Sequence, residues 1–384
     1  MMRTVFLAFF SVGLVLSTSG CTDFVELNQL AFIIGTAIDY AENGQIEVSQ
    51  QIVIPSKKED PSKREGSSSF FVMSAKGKDV FQATQKIQLR MSRKLMANHR
   101  MIIAISEEYF KKDDVRKLFD KLIRDPANNL RDTIVMIKGG SAKEFLMLNH
   151  PIEPLSTIAV GKELQINGMR SFSSRQFVIE TLTKGARPFM PVLQIENVKL
   201  SKEHDSPVAE LHGFAVLDHH LKVKGILGLP EAPGAIWMSG KGSSQGATIP
   251  WNNNKDVVSF RLTRLQRQMT SANGHDPKHM VLTVKAQAYL LENTSQQDMS
   301  EVENMMELQK CLNKQIQKEL QSTIEKVQQW GPDVFGIGEY LHHNYPYWWK
   351  SQRDDWDDKF KRIEVTVKTD IILRSIGVSG APVK

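Results

Sequence analysis

The chain has 384 residues, 41% of them hydrophobic and 24% charged, with a formal net charge of +6. That length exceeds what one hydrophobic core usually serves, so two or three domains are expected. The small positive excess, with no dense basic stripe, argues against nucleic acid as a partner and suits a body lying beside an anionic membrane surface.

The first stretch in chain order sets the frame. Arg3 is a small positive n-region, Val5 to Leu16 is uncharged and mostly apolar, and Ser17, Thr18, Ser19 and Gly20 precede Cys21. This order is that of a secretory signal peptide. The apolar run is shorter than the about 20 residues a membrane-spanning helix needs. A cysteine directly after the small residues resembles a bacterial lipobox, although Thr18 stands where leucine is usual. Residues 1–20 are then a lipoprotein signal peptide, and Cys21 opens the mature chain carrying a diacylglyceryl thioether. The alternative is a plain secreted protein whose cysteine falls at the cleavage site by chance. Cysteine usage fits the anchor: Cys21 and Cys311 are the two cysteines, so an acylated Cys21 leaves Cys311 without an intrachain disulfide partner.

In the first half of the mature chain, Leu30 to Ile38 reads as a strand, Glu42-Asn43-Gly44 as a hairpin turn, and Ile46, Val48, Ile52 and Ile54 as an alternating return strand. Residues 56–69 are polar and aperiodic, a solvated and mobile loop in which Lys57, Lys58, Lys63 and Arg64 are diluted by Glu59, Asp60 and Glu65. Phe70 to Ser74 returns to strand character. A helix follows from Asp79, with Val80, Ala83, Ile87 and Met91 in register. Met101 to Ile105 and Ile134 to Ile137 are short buried-type strands. Between them Val115, Leu118, Phe119, Leu122 and Ile123 mark one helix face. Ser141 with Glu144, and Ser173 with Gln176, are capping-box signals; the second predicts a helix that Gly185 closes. The polar stretch Ser201 to Pro207 is the expected domain boundary. It separates an N-terminal region, 21–200, of one or two subdomains from a C-terminal domain, 206–378.

In the second half, Leu211 to Leu217 and Leu221 to Leu227 flank Asp218-His219-His220 as a hairpin. Val257 to Arg264 and Met280 to Leu291 alternate as strands about a turn-rich Asn273 to Pro277. Ser300 and Glu303 are expected to cap the longest helix, Glu301 to Trp330, about 45 Å long at the usual rise. Its apolar line is Leu308, Leu312, Ile316, Leu320, Ile324 and Val327, with Cys311 beside it as a small buried hydrophobe. Gly331-Pro332 stops it, and Ile363 to Ile371 is a final alternating strand. Strands and helices mix without a steady βαβ rhythm. The fold class is therefore α+β and multi-domain, with mixed β-sheets packed with helices.

The search for chemistry is negative. Gly240-Lys241-Gly242-Ser243 lacks the first glycine and the hydroxyl residue of a phosphate-binding loop. His219-His220 and His342-His343 are adjacent pairs whose rings diverge, with no close Cys or acidic partner for zinc. Asp354, Asp355, Asp357 and Asp358 lack the glycine turn and terminal glutamate of a calcium loop. No catalytic, cofactor-binding or metal-binding residue is expected. The densest unusual segment is Asp333 to Phe360, rich in Tyr and Trp. It reads either as an aromatic core beneath the long helix, the favoured alternative, or as an interaction surface centred on Tyr340, Pro346, Trp349 and Trp356.

As a set, the residues resemble the Ger(x)C lipoproteins, the C subunits of nutrient germinant receptors of spore-forming bacteria. The mature start, Cys21-Thr22-Asp23-Phe24-Val25-Glu26-Leu27-Asn28, is similar to that family's opening, with Thr22 in place of tryptophan. Gly35-Thr36-Ala37-Ile38-Asp39, the Leu95 to His99 stretch and Arg124-Asp125 are similar too. The most specific match is Asp333-Val-Phe-Gly-Ile-Gly-Glu-Tyr340, then Tyr345-Pro346-x-Trp348/Trp349, Asp355-Trp356-Asp357 and Gly377. The resemblance implies three α+β domains and a non-enzymatic role. Its implied partners are the receptor's A subunit, its permease-like B subunit, and membrane lipid reached through acylated Cys21, at the outer face of the spore inner membrane. A second hypothesis is a lipid-anchored solute-binding protein that captures a nutrient directly. Such proteins usually show alternating βα units in two lobes, a rhythm missing here.

Overall fold

The computed structural model describes residues 26–53, 70–124, 128, 130–150, 152–169, 172–199, 205–272 and 277–377. The expected signal peptide, Cys21 and the 56–69 loop lie outside them.

The first sheet grows from β1 (Leu30–Tyr40), β2 (Ile46–Val53) and β3 (Phe71–Gly77), paired antiparallel in sequence. Asn43 takes a positive φ in the β1–β2 turn, as the Asn-Gly signal requires. Helix α1 (Val80–Gln88) starts where the Asp79 side chain accepts the Gln82 N–H, and a three-residue β4 (Lys94–Met96) pairs parallel with β1. Next come β5 (Ile102–Ser106), α2 (Glu107–Lys112), α3 (Arg116–Arg124), β6 (Thr133–Lys138), α4 (Ala142–Met147), α5 (Ser156–Ile166) and α6 (Ser174–Leu182). Strands β1, β5 and β6 run parallel to one another, and β6 runs parallel to β7 (Phe189–Lys199). Strands β8 (Asp205–Leu217) and β9 (Val223–Gly228) add antiparallel, giving the order β3-β2-β1-β5-β6-β7-β8-β9.

Alternation along the central strands assigns the two faces. Ile103, Ile105, Ile134 and Met136 pack with Ala83 and Ile87 of α1 and with Leu118, Phe119 and Leu122 of α3. Ile102, Ala104, Val135 and Ile137 point the other way, against Phe145 and Leu146 of α4 and Val160 and Leu164 of α5. A strand buried on both faces must be apolar throughout, which is why β5 and β6 read as short continuous apolar runs. The Gly35 to Asp39 stretch belongs to this architecture. A Cβ at Gly35 would fall 2.5 Å from the Thr157 methyl of α5. Asp39 accepts the Ala142 and Lys143 N–H groups at 2.8 and 2.9 Å, supplying a carboxylate to the first turn of α4. The capping box of Ser141 and Glu144 forms there as expected.

Of the expected boundary at 201–207, residues 201–204 lie outside the described residues and 205–207 open β8, which pairs with β7 from Phe189↔Val216 to Lys199↔Asp205. Strands β8 and β9 are thus part of the same sheet as β7.

Helix α7 (Ala232–Met238) leads to the second sheet: β10 (Ser244–Trp251), β11 (Asp256–Ser271), β12 (His279–Asn293) and, after α8 (Val302–Trp330), β13 (Glu364–Ser375). The order is β10-β11-β12-β13, antiparallel up to β12 and parallel between β12 and β13. Leu308, Leu312, Ile316, Leu320, Ile324 and Val327 of α8 are all buried, and each contributes about 1.5–3 kcal/mol relative to exposure. They join Phe189, Phe214 and Leu227 of the first sheet in one core cluster, so the two sheets share a core. Cys311 is half-buried with its thiol 3.9 Å from the Pro250 carbonyl, and burial pushes its pKa up, away from a reactive thiolate.

Two end signals were misread. Helix α8 starts at Val302 with Glu301 at the N-cap and no side-chain cap; the Ser300 hydroxyl donates back to Asp298 instead. Helix α6 ends at Leu182 with Thr183 as C-cap, so Gly185 does not close it.

The polar side of α8 holds β13. The Asn313 amide donates to the Ile371 carbonyl and accepts the Ile371 N–H, both at 2.9 Å. Gln321 does the same for the Val365 carbonyl and the Val367 N–H, and Gln309 accepts the Leu373 N–H. Replacing Asn313 by Leu leaves both Ile371 groups unpaired beside a buried side chain. It is expected to lower unfolding free energy by about 1–3 kcal/mol, measurable by denaturant titration, whereas Lys310→Ala on the same helix should change it by less than about 0.5 kcal/mol.

Candidate functional site

The segment that carries the most specific sequence signature follows α8. Gly331 ends the helix with φ of 106°, and the chain turns through Asp333 into α9 (Ile337–Asn344), α10 (Pro346–Lys350) and α11 (Trp356–Phe360). Asp333 is fully buried. Its Oδ1 accepts the Phe335 N–H at 3.1 Å, and its Oδ2 accepts the Gly338 N–H at 2.7 Å and the Trp356 Nε1–H at 3.0 Å. Burial pushes the carboxyl pKa up, and these donors with nearby Arg187 pull against that. Gly338 is required because a Cβ would sit 2.6 Å from Trp356 Nε1.

The same segment grips the end of α6. The Arg187 N–H donates to the Asp333 carbonyl at 2.8 Å. Arg187 Nε donates to Asp357 Oδ1 at 2.6 Å, and its Nη1 reaches the Thr183, Lys184 and Ala186 carbonyls. Asp357 Oδ2 lies 3.1 Å from His219 Nδ1 in the β8–β9 turn. The Glu339 N–H donates to the Gly185 carbonyl, and a Cβ on Gly185 would lie 2.4 Å from that nitrogen. Gly185 is therefore a close-approach glycine. Together Asp333, Gly338, Trp356, Asp357, Gly185 and Arg187 fasten the C-terminal helices to the exit of α6.

Of the expected interaction surface, two members are core residues. Trp349 is 2% and Trp356 1% exposed, with ring centroids 5.0 Å apart at 69°, the edge-to-face packing that aromatic cores favour. Tyr340 is half-buried and Pro346 exposed. The side chain that stands out is Tyr347, 94% exposed. The aromatic-core alternative thus describes the tryptophans, and a surface remains at Tyr340, Pro346 and Tyr347.

A cavity of about 640 Å³ opens between α6, the α7–β10 connection, β11 and α9, lined by Glu180, Lys241, Arg267, Glu339, Tyr340 and His343 among others. Lys241, from the segment that resembled a phosphate loop, is buried and pairs with Glu180 at 2.8 Å; its Nζ also stands 4.3 Å from the centre of the Phe189 ring. Burial pushes its pKa down and Glu180 opposes that shift. Arg267 Nη1 donates to the Met238 and Phe335 carbonyls. His342 and His343 sit on α9 with Glu339 one turn before them, and ligand atoms of the three lie within 4.8 Å of one another. The acidic partner that the sequence reading failed to find is thus present, and the spacing Glu-x-x-His-His was its signal. Arg187 and the Lys241–Glu180 pair were missed because their partners are distant in sequence and no local pattern marks them.

These features define a class: a two-sheet α+β protein whose signature residues build an internal fastening. Comparison with known proteins then gives the family. Residues 23–195 match the family described as spore germination protein N-terminal domain, and residues 212–377 match spore germination B3/GerAC like, C-terminal. The chain belongs to the Ger(x)C family of spore germination proteins. Spore germination protein KC of Bacillus subtilis (strain 168) is 24% identical over 407 residues, covering 100% of this chain and 98% of that protein. Spore germination protein A3 of the same strain is 23% identical, covering 94% and 95%. The crystal structure of the GerBC protein matches with a TM-score of 0.54 at 16% identity, over 92% of this chain and 100% of that one, which shows a common fold.

Asp333→Ala strands the Gly338 N–H and the Trp356 Nε1–H in the core. It is expected to cost about 3 kcal/mol or more, read as a lowered unfolding midpoint with the Trp356 environment reported by fluorescence.

Proposed function

We propose that this protein is a lipid-anchored, non-catalytic subunit of a membrane germinant receptor, needed for the spore's germination response to nutrients. The observation that carries the proposal is the pair of family matches, which begin at residue 23, two residues after the lipobox-like Cys21, and run to residue 377. The relatives are named spore germination proteins. In this reading acylation at Cys21 supplies the membrane attachment. Two acyl chains hold a protein at a bilayer stably where one is marginal. The tether then raises the effective concentration of the body at membrane partners, so modest contacts suffice. In this reading the partners are the receptor's A and B membrane subunits at the outer face of the spore inner membrane, the regions 21–200 and 206–378 act as its two working parts, and Tyr340, Pro346 and Tyr347 offer a contact rim.

Cys21→Ala is expected to release the protein from the membrane fraction and to impair germination. Unchanged fractionation with full germination would overturn the anchor.

The cavity beside Arg267 favours a second reading, a lipid-anchored protein that captures a small nutrient itself. A thermal-shift screen of the protein against single amino acids and sugars separates the two. The receptor-subunit reading expects no shift, and a large one from a single nutrient would establish direct capture in its place.

A further inference from the structure

The exposed side of α9 carries side chains that neither the fold nor the proposed receptor role uses. Glu339, His342 and His343 occupy positions i, i+3 and i+4 of this helix, so they share one of its faces. One ligand atom from each lies within 4.8 Å of the other two. Glu339 Oε2 is buried and has no hydrogen-bond partner among the described residues, while Oε1 is 3.4 Å from His343 Nδ1. A carboxylate oxygen withdrawn from water without a partner is costly and calls for an explanation. The backbone beneath it is fixed, because the Glu339 N–H is bonded to the Gly185 carbonyl. His343 Nδ1 now stands 2.8 Å from the Glu339 carbonyl, a contact within the helix that a turn of the exposed ring releases.

We propose that Glu339, His342 and His343 form a binding site for one divalent transition-metal ion of the Zn2+, Ni2+ or Cu2+ type. Two imidazoles and one carboxylate are borderline-soft donors that suit these ions, whereas Ca2+ and Mg2+ prefer shells of oxygen. Bonds of about 2.0–2.2 Å bring the donors closer together than they now stand. Rotation of the two histidines, both exposed, closes that gap without moving the helix. Three protein ligands leave at least one coordination position open. Glu339 and His343 also line the cavity that holds Arg267, a space beside the site where a small anion can enter. The pair His219–His220 differs. Its rings are 3.7 Å apart, but His219 is engaged by Asp357 and His220 by Arg116.

The test uses the untagged full-length mature protein in detergent, stripped with a chelator and titrated with Zn2+, Ni2+ and Cu2+ by calorimetry and equilibrium dialysis. The expected result is one ion per chain, with Cu2+ quenching part of the tryptophan emission because the His342 and Trp349 ring centroids are 6.0 Å apart. Glu339→Gln and the double variant His342→Ala/His343→Ala should each bind at least about tenfold more weakly, since even outer-shell losses weaken metal sites by about 10–100-fold. His219→Ala/His220→Ala should bind as the parent does, and millimolar Ca2+ or Mg2+ should not displace the ion. Metal should raise the thermal midpoint of the parent and leave that of the His342/His343 double variant where it is. No stoichiometric binding, equal binding by the double variant, or displacement by Ca2+ or Mg2+ overturns the site. None of these outcomes depends on Cys21 or on germination, so this proposal and the receptor reading fail separately.

Discussion

The Asp333 carboxylate is the constraint around which the C-terminal half is arranged. A buried carboxylate is tolerable only when its lone pairs are filled, and here two backbone N–H groups and an indole fill them. That requirement fixes the start of α9, places Trp356 under the end of α8 and excludes a side chain at position 338. The Asp333 backbone carbonyl meanwhile receives Arg187, whose guanidinium binds Asp357 and three carbonyls at the end of α6. One acidic residue thus links the long helix, the short aromatic helices and the helical layer of the first sheet. In this part of the signature, Asp333, Gly338 and Trp356 specify geometry.

The two sheets consequently behave as parts of one body. Strands β7, β8 and β9 carry the chain past residue 200 within the first sheet, and Phe189, Phe214 and Leu227 deliver that sheet into the core beneath α8. A surface made by one half is therefore held in register with the other. For a protein proposed to act by contact rather than by chemistry, such rigidity keeps a docking rim in a fixed orientation to the first sheet.

Periodicity made the regular parts legible in the sequence. The apolar line of α8 repeats from Leu308 to Val327, and β5 and β6 are bounded apolar runs, so both could be placed from residues alone. Helix α7 was missed because Ala232 to Met238 is apolar almost all round and short, which leaves no stripe to detect. The division near 201–207 rests on polarity alone, and the described strands on either side of it, β7 and β8, belong to one sheet. The Asp333 to Trp356 signature was visible, but its meaning depended on Arg187 and Gly185, nearly 150 residues earlier, which no local pattern ties to it. Tyr and Trp density could not separate core from surface, and burial assigns Trp349 and Trp356 to the core and Tyr347 to solvent.

The amide ladder from α8 to β13 has a consequence for the proposed attachment to a membrane. A β-strand at the end of a sheet offers unpaired donors and acceptors that a neighbouring chain can adopt as its own. Gln309, Asn313 and Gln321 occupy those groups from within the molecule, and at the opposite end β10 carries Pro250, which has no N–H to offer. Proteins confined to two dimensions by acyl chains meet one another far more often than in solution. On the proposed anchor, where chains crowd in two dimensions, the β13 edge is already occupied from within, so contacts on that side of the second sheet fall to side chains.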